Sequence, residues 1–459
     1  MDLIENNSIN LKIKDLEEVM PTSIESSFKF EELFFSVTDL KSVITFSNDT
    51  FIRISKYTEI ELLGQLHKIV RHPDMPRCIF NIFWDFLKEK KPIAAYVKNL
   101  SKDGSYYWVL ALAFPSDEGY ISIRIKPGSE LFDQVKKLYK STLAYEKDLE
   151  KKVDKKSAMK GAEVYLIQQL NELGFSEYSQ FMWIALQKEM KHRESVLKQT
   201  VHKKKNGASV PTHLLELDNI LSKLVVTTDT LIDIHSKLAT QSEYILNLAR
   251  SIILLSINAQ VGSAKLDQKD QSLSVVAEKM SEQSTTGESH ISALEKNIIN
   301  LNELIGEVSF NIISAKLQVE MNIYFKNEID HINCNNMEAK DNTERASQLL
   351  QEAFMPRIGV ICEGIEQINA YLKYISNDVL QIERFLMYLR FIHITGKVEV
   401  ARMNEKSASF ATTFQELNAE INNAEVRLKQ LTKVVESNQV TLKMNQTLTS
   451  RLSRLKHFF

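Results

Sequence analysis

Charged side chains and prolines are concentrated in one short stretch of the chain, VRHPDMPR at residues 70–77. The prolines restrict the backbone, so the side chains beside them are held in place before any ligand arrives. The guanidinium of Arg71 could pair with a phosphate or a carbonyl group of a ligand, or it could form a local salt bridge with Asp74. His72 could be a buried structural histidine, or either His72 or His67 could be an axial ligand of haem iron.

No set of residues has the spacing of a known catalytic site. The sequence contains no Walker-type glycine loop, no GxSxG or HExxH motif, and no kinase or GGDEF-like motif. The cysteines, Cys78, Cys334 and Cys362, are far apart, which excludes a disulfide framework and a CxxC metal site and indicates a reducing compartment. We therefore expect a protein that is not an enzyme.

The composition is that of a globular protein with more than one domain. The chain has 459 residues, 44% of them hydrophobic, and a net charge of −2, which gives no reason to expect nucleic acid as a partner. The N-terminal residues are polar and do not resemble a signal peptide. The best membrane candidate, residues 251–264, is shorter than the ~20 residues that a spanning helix needs. We therefore expect a cytoplasmic location and no membrane span.

Alternating apolar and polar residues predict a β-rich first domain at residues 30–130. A hairpin is expected in FFSVTD and SVITFS, and short helices in NDTFIRISKY and after Thr58, where Glu61 completes a capping box. A longer helix is expected in MPRCIFNIFWDFLKEK. Three strands follow, AAYVKNL, SYYWVLALAF and GYISIRI, and the tight-turn pair Asp103–Gly104 joins the first two. This order predicts an α+β PAS sensory fold with a five-stranded antiparallel sheet.

Helical patterns dominate the remainder of the chain. Leucines and isoleucines recur in steps of three, four and seven from Leu214, and again from Phe414 to Leu452, which predicts long helices with heptad seams. We expect an antiparallel, up-down-up-down four-helix bundle that one chain builds alone. The predicted domains are an N-terminal extension at 1–29, the PAS domain at 30–130, a helical connector at 131–205, a linker at 206–212, and the bundle at 213–459, made of hairpins at 213–326 and 341–457.

An internal repeat lies near the predicted ends of the two hairpins. LLSINAQVGSAKLDQKDQSLSVVAEKM at 254–280 aligns without gaps with FIHITGKVEVARMNEKSASFATTFQEL at 391–417, and Lys265 matches Arg402 at an offset of 402 − 265 = 137 residues. Both stretches resemble the tip of the methyl-accepting chemoreceptors. The resemblance implies that Glu399, Arg402 and Glu405 bind a chemotaxis histidine kinase and its coupling protein. The alternative is that they form a solvated, charged helix end.

The first domain also resembles the PAS domains of the aerotaxis-receptor family. The shared motifs are NDTF at 48–51, VRHPDMP at 70–76, Trp84, VKN at 97–99, DG-YYWV at 103–109 and YISIR at 120–124, and they cover about a quarter of the chain. In that family the domain binds FAD without a covalent bond, and the redox state of the flavin is the signal. The family usually has Trp and Gly where this chain has Ile93 and Ala95.

The resemblance assigns flavin binding to seven polar or aromatic residues of this chain. They are Asn48, Arg71, His72, Asp74, Trp84, Asn99 and Tyr120. The chemistry of these residues suits a flavin, because Arg71 can pair with its phosphates or carbonyls and the two asparagines can bond to its ring edge. Trp84 can stack on the ring system or enclose it.

These patterns together predict a signalling protein of the aerotaxis or energy-taxis type. A flavin in the PAS domain would sense redox state or oxygen, and the bundle would relay the signal to a chemotaxis kinase complex. Two alternatives stay open: a PAS and coiled-coil scaffold with a degenerate signalling tip, or a haem-binding oxygen sensor. Self-association through the PAS domain or the bundle is a further expectation.

Overall fold

The computed structural model describes residues 19–199, 210–263, 271–331, 337–402, 408–437 and 439–455. The first 18 residues of the predicted extension, most of the predicted linker, and Glu405 lie outside these ranges. The chain divides into two compact units, one made of residues 1–204 and 338–349 and the other of residues 205–337 and 350–459.

The first unit is built on a five-stranded antiparallel sheet. Its strands are β1 (Phe34–Asp39), β2 (Ile44–Ser47), β3 (Ile93–Leu100), β4 (Tyr106–Pro115) and β5 (Gly119–Ile125). Their spatial order is β2-β1-β5-β4-β3, so the first hairpin and the last three strands meet along β1 and β5. The predicted α+β fold with two strands, short helices and three strands is confirmed.

Short helices cross from β2 to β3. They are α1 (Asp49–Ser55), α2 (Glu59–Leu62), a 3₁₀ turn (His67–Val70) and α3 (Arg77–Lys88). The predicted capping box of Thr58 and Glu61 is present at the start of α2. Gly104 occupies the tight turn after β3 with φ +85°, and a Cβ there would come within 3.0 Å of the carbonyl oxygen of Met20. Glycine is therefore the residue that this turn requires.

The helical segment predicted at 131–205 is divided into three helices, α4 (Glu130–Leu149), α5 (Lys155–Glu172) and α6 (Tyr178–Gln199). The side chain of Asp154 caps α5. On the sheet, Tyr96 of β3 stacks on Phe132 of α4, with ring centroids 5.6 Å apart. Two of the three helices pack against the sheet, since α6 also contacts β3 through Glu189, which accepts from the Tyr96 hydroxyl at 2.8 Å.

The second unit is a bundle of long helices. They are α7 (Thr212–Ser263), α8 (Gln271–His331), α9 (Met337–Arg402), α10 (Ala408–Ser437) and α11 (Gln439–Leu455). Residues 338–349 of α9 are the exception, since they are grouped with the first unit. Side-chain contacts connect the neighbouring helices: Asp218–Lys316 between α7 and α8 (3.1 Å), Asn297–Asp378 between α8 and α9 (2.7 Å), Arg390–Glu425 between α9 and α10 (2.8 Å), and Glu216–Arg451 between α7 and α11 (2.6 Å). Arg357 of α9 also bonds to Asn311 of α8 at 2.9 Å, so residue numbers rise along α8 as they fall along α9, which is the pattern of antiparallel packing. Both α10 and α11 pack against α7, so together they form the fourth member, and the predicted antiparallel four-helix bundle is confirmed.

Residues 137 positions apart have matching burial over much of the bundle. Buried pairs with this offset include Leu217 and Phe354, Leu224 and Ile361, Leu238 and Ile375, Met280 and Leu417, and Leu294 and Leu431. Exposed pairs include Leu254 and Phe391, and Ile257 and Ile394. The repeat inferred from two short stretches therefore extends along both hairpins. Its assignment to the chemoreceptors stays a prediction.

Across the described residues, none of the helices combines the length and the apolar composition required to cross a membrane.

Candidate functional site

A cavity of about 280 Å³ lies between one face of the sheet and helix α3. The strands contribute Asn99, Ala111, Ala113, Tyr120, Ser122 and Arg124 to its lining. Helix α3 contributes Ile79, Phe80, Phe83, Trp84 and Leu87, and the segment before it contributes His67, Lys68 and Arg71.

The sequence explains why a cavity forms at this place. Side chains alternate between the two faces of a strand, so Ala111 and Ala113 of β4 share one face. Because both are alanines, they leave space that larger side chains would fill. The apolar positions of α3 at 79, 80, 83, 84 and 87 form one stripe of an amphipathic helix, and this stripe covers the space.

Four of the seven residues assigned to flavin binding line the cavity: Arg71, Trp84, Asn99 and Tyr120. The rings of Trp84 and Tyr120 meet edge to face, with centroids 5.3 Å apart. Arg71 lies over the ring of Phe80 at 4.0 Å, and its backbone pairs with that of Asn99. The structure thus brings together four residues from two strands, a helix and a loop.

Asn48, by contrast, is not part of the lining. It is buried, its Oδ1 accepts from the backbone N–H groups of Phe35 at 2.9 Å and Phe51 at 3.2 Å, and its Nδ2 donates to the carbonyl of Leu33 at 2.9 Å. These bonds cap α1 and join it to β1, so the observed contacts of Asn48 are structural.

His72 and Asp74 also lie outside the lining and shape the loop before α3. Nδ1 of His72 accepts from the backbone N–H of Asp74 at 3.1 Å. Burial, with a smaller contribution from Lys98, lowers the pKa of His72 to about 4, so the ring is neutral at pH 7. The exposed carboxylate of Asp74 pairs with Lys98 at 2.7 Å, and the alternative salt bridge with Arg71 does not form.

Two further residues line the cavity, Arg124 and His67, which the sequence analysis did not assign to flavin binding. Arg124 is 5% exposed and donates to Oγ of Ser36 at 3.0 Å and to Nε2 of His67 at 2.6 Å. Burial, reinforced by Arg124, lowers the pKa of His67 to about 3, so His67 is neutral and accepts through Nε2. The alternation of YISIR could have revealed Arg124, because it lies on the same face of β5 as Tyr120.

The polar part of the cavity is positively charged. Lys68, Arg71 and Arg124 line it, and no acidic side chain does so among the described residues. Neither arginine forms an ion pair with a carboxylate in the described part of the chain. Burial lowers the pKa of Arg71, and it lowers the pKa of Arg124 to about 10, so both remain charged at pH 7. This charge suits a ligand that is electron-rich or anionic.

The lining residues fit a flavin ring system. Trp84 and Phe80 offer aromatic surface, and Arg71 and Arg124 offer donors to ring carbonyls. Oγ of Ser122 is buried, lines the cavity and has no hydrogen-bond partner among the described residues, which leaves a polar atom for a ligand to satisfy.

The two positions where the chain departs from the family lie beside the cavity. Ile93 and Ala95 are fully buried on β3 and pair with Ala113 and Ala111 of β4. Neither belongs to the lining, but both share the cavity-facing side of the sheet with Val97 and Asn99, so these departures lie at the edge of the site.

At the end of α9, Arg402 is exposed and pairs with Glu399 one turn earlier at 2.9 Å. This pair occurs within one helix, so it leaves open whether the residues bind a partner or form a solvated helix end.

Residues 44–124 match the family model of the PAS fold. The chain is 47% identical over 111 residues to the aerotaxis receptor of Escherichia coli (strain K12), which covers 23% of this chain and 22% of the receptor. It is 31% identical over 74 residues to the nitrogen fixation regulatory protein of Klebsiella pneumoniae, which covers 16% of this chain and 15% of that protein.

A solved structure, the light state of the blue-light photoreceptor Aureochrome1 LOV, is 16% identical with a TM-score of 0.21 and covers 22% of this chain and 86% of that chain. The match to the aerotaxis receptor spans about a fifth of the length of that receptor. The family match and the two relatives support a PAS domain that acts in signal transduction.

Proposed function

We propose that the chain is a cytoplasmic sensor of redox state or oxygen, of the aerotaxis or energy-taxis type, with a flavin bound in the PAS cavity. The observation that carries the proposal is the cavity itself. It combines an aromatic wall, three cationic side chains and an unsatisfied serine hydroxyl, and it contains four of the residues that the resemblance assigns to flavin binding.

Four lining residues have a definite task toward the cofactor, which would be FAD by analogy with the family. A bound flavin supplies a reversible two-electron redox couple. Trp84 and Phe80 provide the apolar surface that excludes water from the ring system. Arg71 and Asn99 donate hydrogen bonds to carbonyl groups at its edge. The volume of about 280 Å³ is near the lower limit of ~300 Å³ for ligand pockets, so this cavity would hold the flavin ring system.

Helix α3 is the part of the site that can pass a change onward. One face of α3 lines the cavity, and the side of the helix next to that face is bonded to α4 and α5. Arg77 donates to Glu146 of α4 at 2.6 Å, and Asn81 donates to Glu163 of α5 at 2.9 Å. A shift of α3 after flavin reduction would therefore move both helices. Long packed helices can convert small shifts into alternative packings, which is the form of signal that the bundle would relay to a histidine kinase and its coupling protein.

The haem alternative receives less support from the geometry. Nε2 of His67 accepts a hydrogen bond from Arg124, so iron would have to displace that contact. His72 does not line the cavity. The cationic lining also suits the carbonyl groups of a flavin.

The scaffold alternative rests on the first copy of the repeat. It has Gly262, Lys265 and Gln268 where the chemoreceptor pattern has charged Glu, Arg and Glu. A pull-down that enriches other partners and no kinase–coupling complex would favour a scaffold. Recovery of the kinase and the coupling protein would favour the sensor, provided that exchanging the charges of Glu399 and Arg402 reduces that recovery.

An absorbance spectrum of the purified full-length chain tests the cofactor directly. We expect flavin bands, and we expect the apo-protein to bind added FAD. Arg71→Ala should weaken FAD binding at least tenfold, because a hydrogen bond to a charged group contributes about 1.5–3 kcal/mol. Arg53→Ala is the matched control, since it makes the same substitution at an exposed arginine outside the cavity, and it should bind FAD as the parent chain does. Colourless protein that fails to bind added FAD would overturn the proposal, and a Soret band would establish haem instead.

A further inference from the structure

Arg124 is the most deeply buried cation of the cavity. It projects from β5 beside Ser122, and its two hydrogen bonds go to neutral acceptors, the hydroxyl of Ser36 and the imidazole of His67. A buried guanidinium normally has a carboxylate partner, because an isolated charge in a protein interior is costly. Arg124 has no such ion pair in the described part of the chain.

The contacts around Arg124 fix its position without neutralising it. An arginine only donates hydrogen bonds, so the neutral imidazole of His67 must accept through Nε2. The aromatic ring of Phe51 lies 5.3 Å from the guanidinium carbon and supplies a further weak attraction. Every observed neighbour therefore orients the guanidinium and leaves its positive charge available to the cavity.

We infer that Arg124 binds the carbonyl edge of the flavin pyrimidine ring and raises the reduction potential of the bound flavin. This inference rests on the proposed function. During reduction by a dithionite-type reductant, the flavin takes up two electrons from the reductant and one proton from solvent, and the dithionite is oxidised to sulfite. One negative charge then remains on the pyrimidine edge, and a nearby guanidinium stabilises that charge more than it stabilises the neutral oxidised ring.

The experiment compares the full-length chain with Arg124→Gln and Arg124→Lys. We expect Arg124→Gln to bind oxidised FAD about tenfold more weakly and reduced FAD about a hundredfold more weakly. The tenfold difference between the two redox forms equals a fall of about 30 mV in the two-electron potential. Arg124→Lys keeps a positive charge and should recover most of the potential. Lys126→Gln is the matched control, because it removes a positive charge from the end of the same strand but Lys126 donates to the carbonyl of Phe28 and does not line the cavity.

A purely structural role for Arg124 gives a different result. In that case Arg124→Gln would lower the thermal midpoint of the apo-protein and leave the potential of the remaining bound flavin unchanged, which would overturn the inference. The inference also fails if Lys126→Gln shifts the potential as much as Arg124→Gln. Absence of FAD binding by the parent chain would instead overturn the proposed function, so the two failures are distinguishable.

Discussion

Arg77 at the start of α3 holds Glu146 of α4 through two bonds, from its backbone N–H at 2.9 Å and from Nε at 2.6 Å. The side chain of Glu146 is 2% exposed. Arg77 also donates to the carboxylate of Glu150 and to the backbone carbonyl of Lys155. One arginine thus joins the helix that lines the cavity to α4 and α5.

We predict that Arg77→Met destabilises the first unit by about 3–5 kcal/mol, because it leaves the buried carboxylate of Glu146 without its charged partner. The tryptophans, Trp84, Trp108 and Trp183, all lie in this unit, so fluorescence during chemical denaturation follows its unfolding. Arg53→Met is the control, since the pair of Arg53 with Glu32 is more exposed and should contribute 1 kcal/mol or less. Equal losses in the two variants would contradict the prediction.

A second buried carboxylate anchors α6. Glu189 is fully buried and accepts from the Tyr96 hydroxyl at 2.8 Å, from the backbone N–H groups of Gly128 at 2.7 Å and Ser129 at 3.0 Å, and from the Ser129 hydroxyl at 2.6 Å. We predict that Glu189→Gln lowers the unfolding free energy of the first unit by about 1–3 kcal/mol, because the amide replaces an acceptor oxygen with a donor.

The control for this change is Glu177→Gln, which makes the same substitution at an exposed position. It should alter stability by less than about 0.5 kcal/mol. Tryptophan fluorescence again gives the measurement. A parent-like value for Glu189→Gln would show that the buried carboxylate contributes nothing to the attachment of α6.

Histidine protonation makes the stability of the apo-protein depend on pH. In the folded state burial lowers the pKa of His67 to about 3 and that of His72 to about 4, from an ordinary 6.5. The unfolded chain therefore binds protons below pH 6.5 that the folded chain does not bind, and stability falls as the pH falls. Between pH 6.5 and 5.5 we expect a loss of about 1 kcal/mol for each histidine.

His67→Asn tests this expectation. The asparagine keeps an acceptor for Arg124 but does not titrate, so the variant should lose about 1 kcal/mol less than the parent over the same pH interval. The comparison is made above pH 5.5 because carboxylates with lowered pKa values, such as Asp103 at about 2, also make the stability depend on pH at lower pH values. An identical slope for parent and variant would refute the assigned protonation state of His67.

The PAS elements could be predicted from the sequence because their signals are local. The alternation of apolar and polar residues predicted the strands. The Thr58–Glu61 pair marked the start of α2, and Asp103–Gly104 marked the turn after β3. The division of residues 131–205 into three helices and their packing on the sheet could not be predicted in this way. Glu189 meets partners 60 and 93 residues away, and no short-range pattern distinguishes it from a solvated glutamate.

The site was predictable in part for a similar reason. The resemblance points to Arg71, Trp84, Asn99 and Tyr120, and all four line the cavity. Strand alternation accounts for the two on strands, Asn99 and Tyr120. Asn48 carries a competing local signal, since asparagine before a helix commonly serves as its N-cap, and that role is the one observed. The position of His72 depends on the three-dimensional course of the loop, which the sequence motif does not reveal.

The glycines of the bundle offer a matched test of how tightly its helices pack. At Gly287 of α8 a Cβ would lie within 3.0 Å of three ring atoms of the buried Phe385 in α9, whereas at Gly359 of α9 it would meet nothing within 4 Å. Alanine is favoured over glycine by about 1 kcal/mol inside a helix. Gly359→Ala should therefore raise the unfolding free energy of the bundle by about that amount.

Gly287→Ala gains the same helix propensity but overfills the α8–α9 contact, which costs about 1–3 kcal/mol. We expect it to be neutral or destabilising, and we expect Phe385→Leu in the same chain to relieve part of the clash. The measurement is the unfolding transition of the full chain followed by far-UV circular dichroism. Tryptophan fluorescence follows the first unit alone, so the two signals together identify the unfolding of the bundle. An equal stabilisation by Gly287→Ala and Gly359→Ala would mean that α8 and α9 are not in close contact at Phe385.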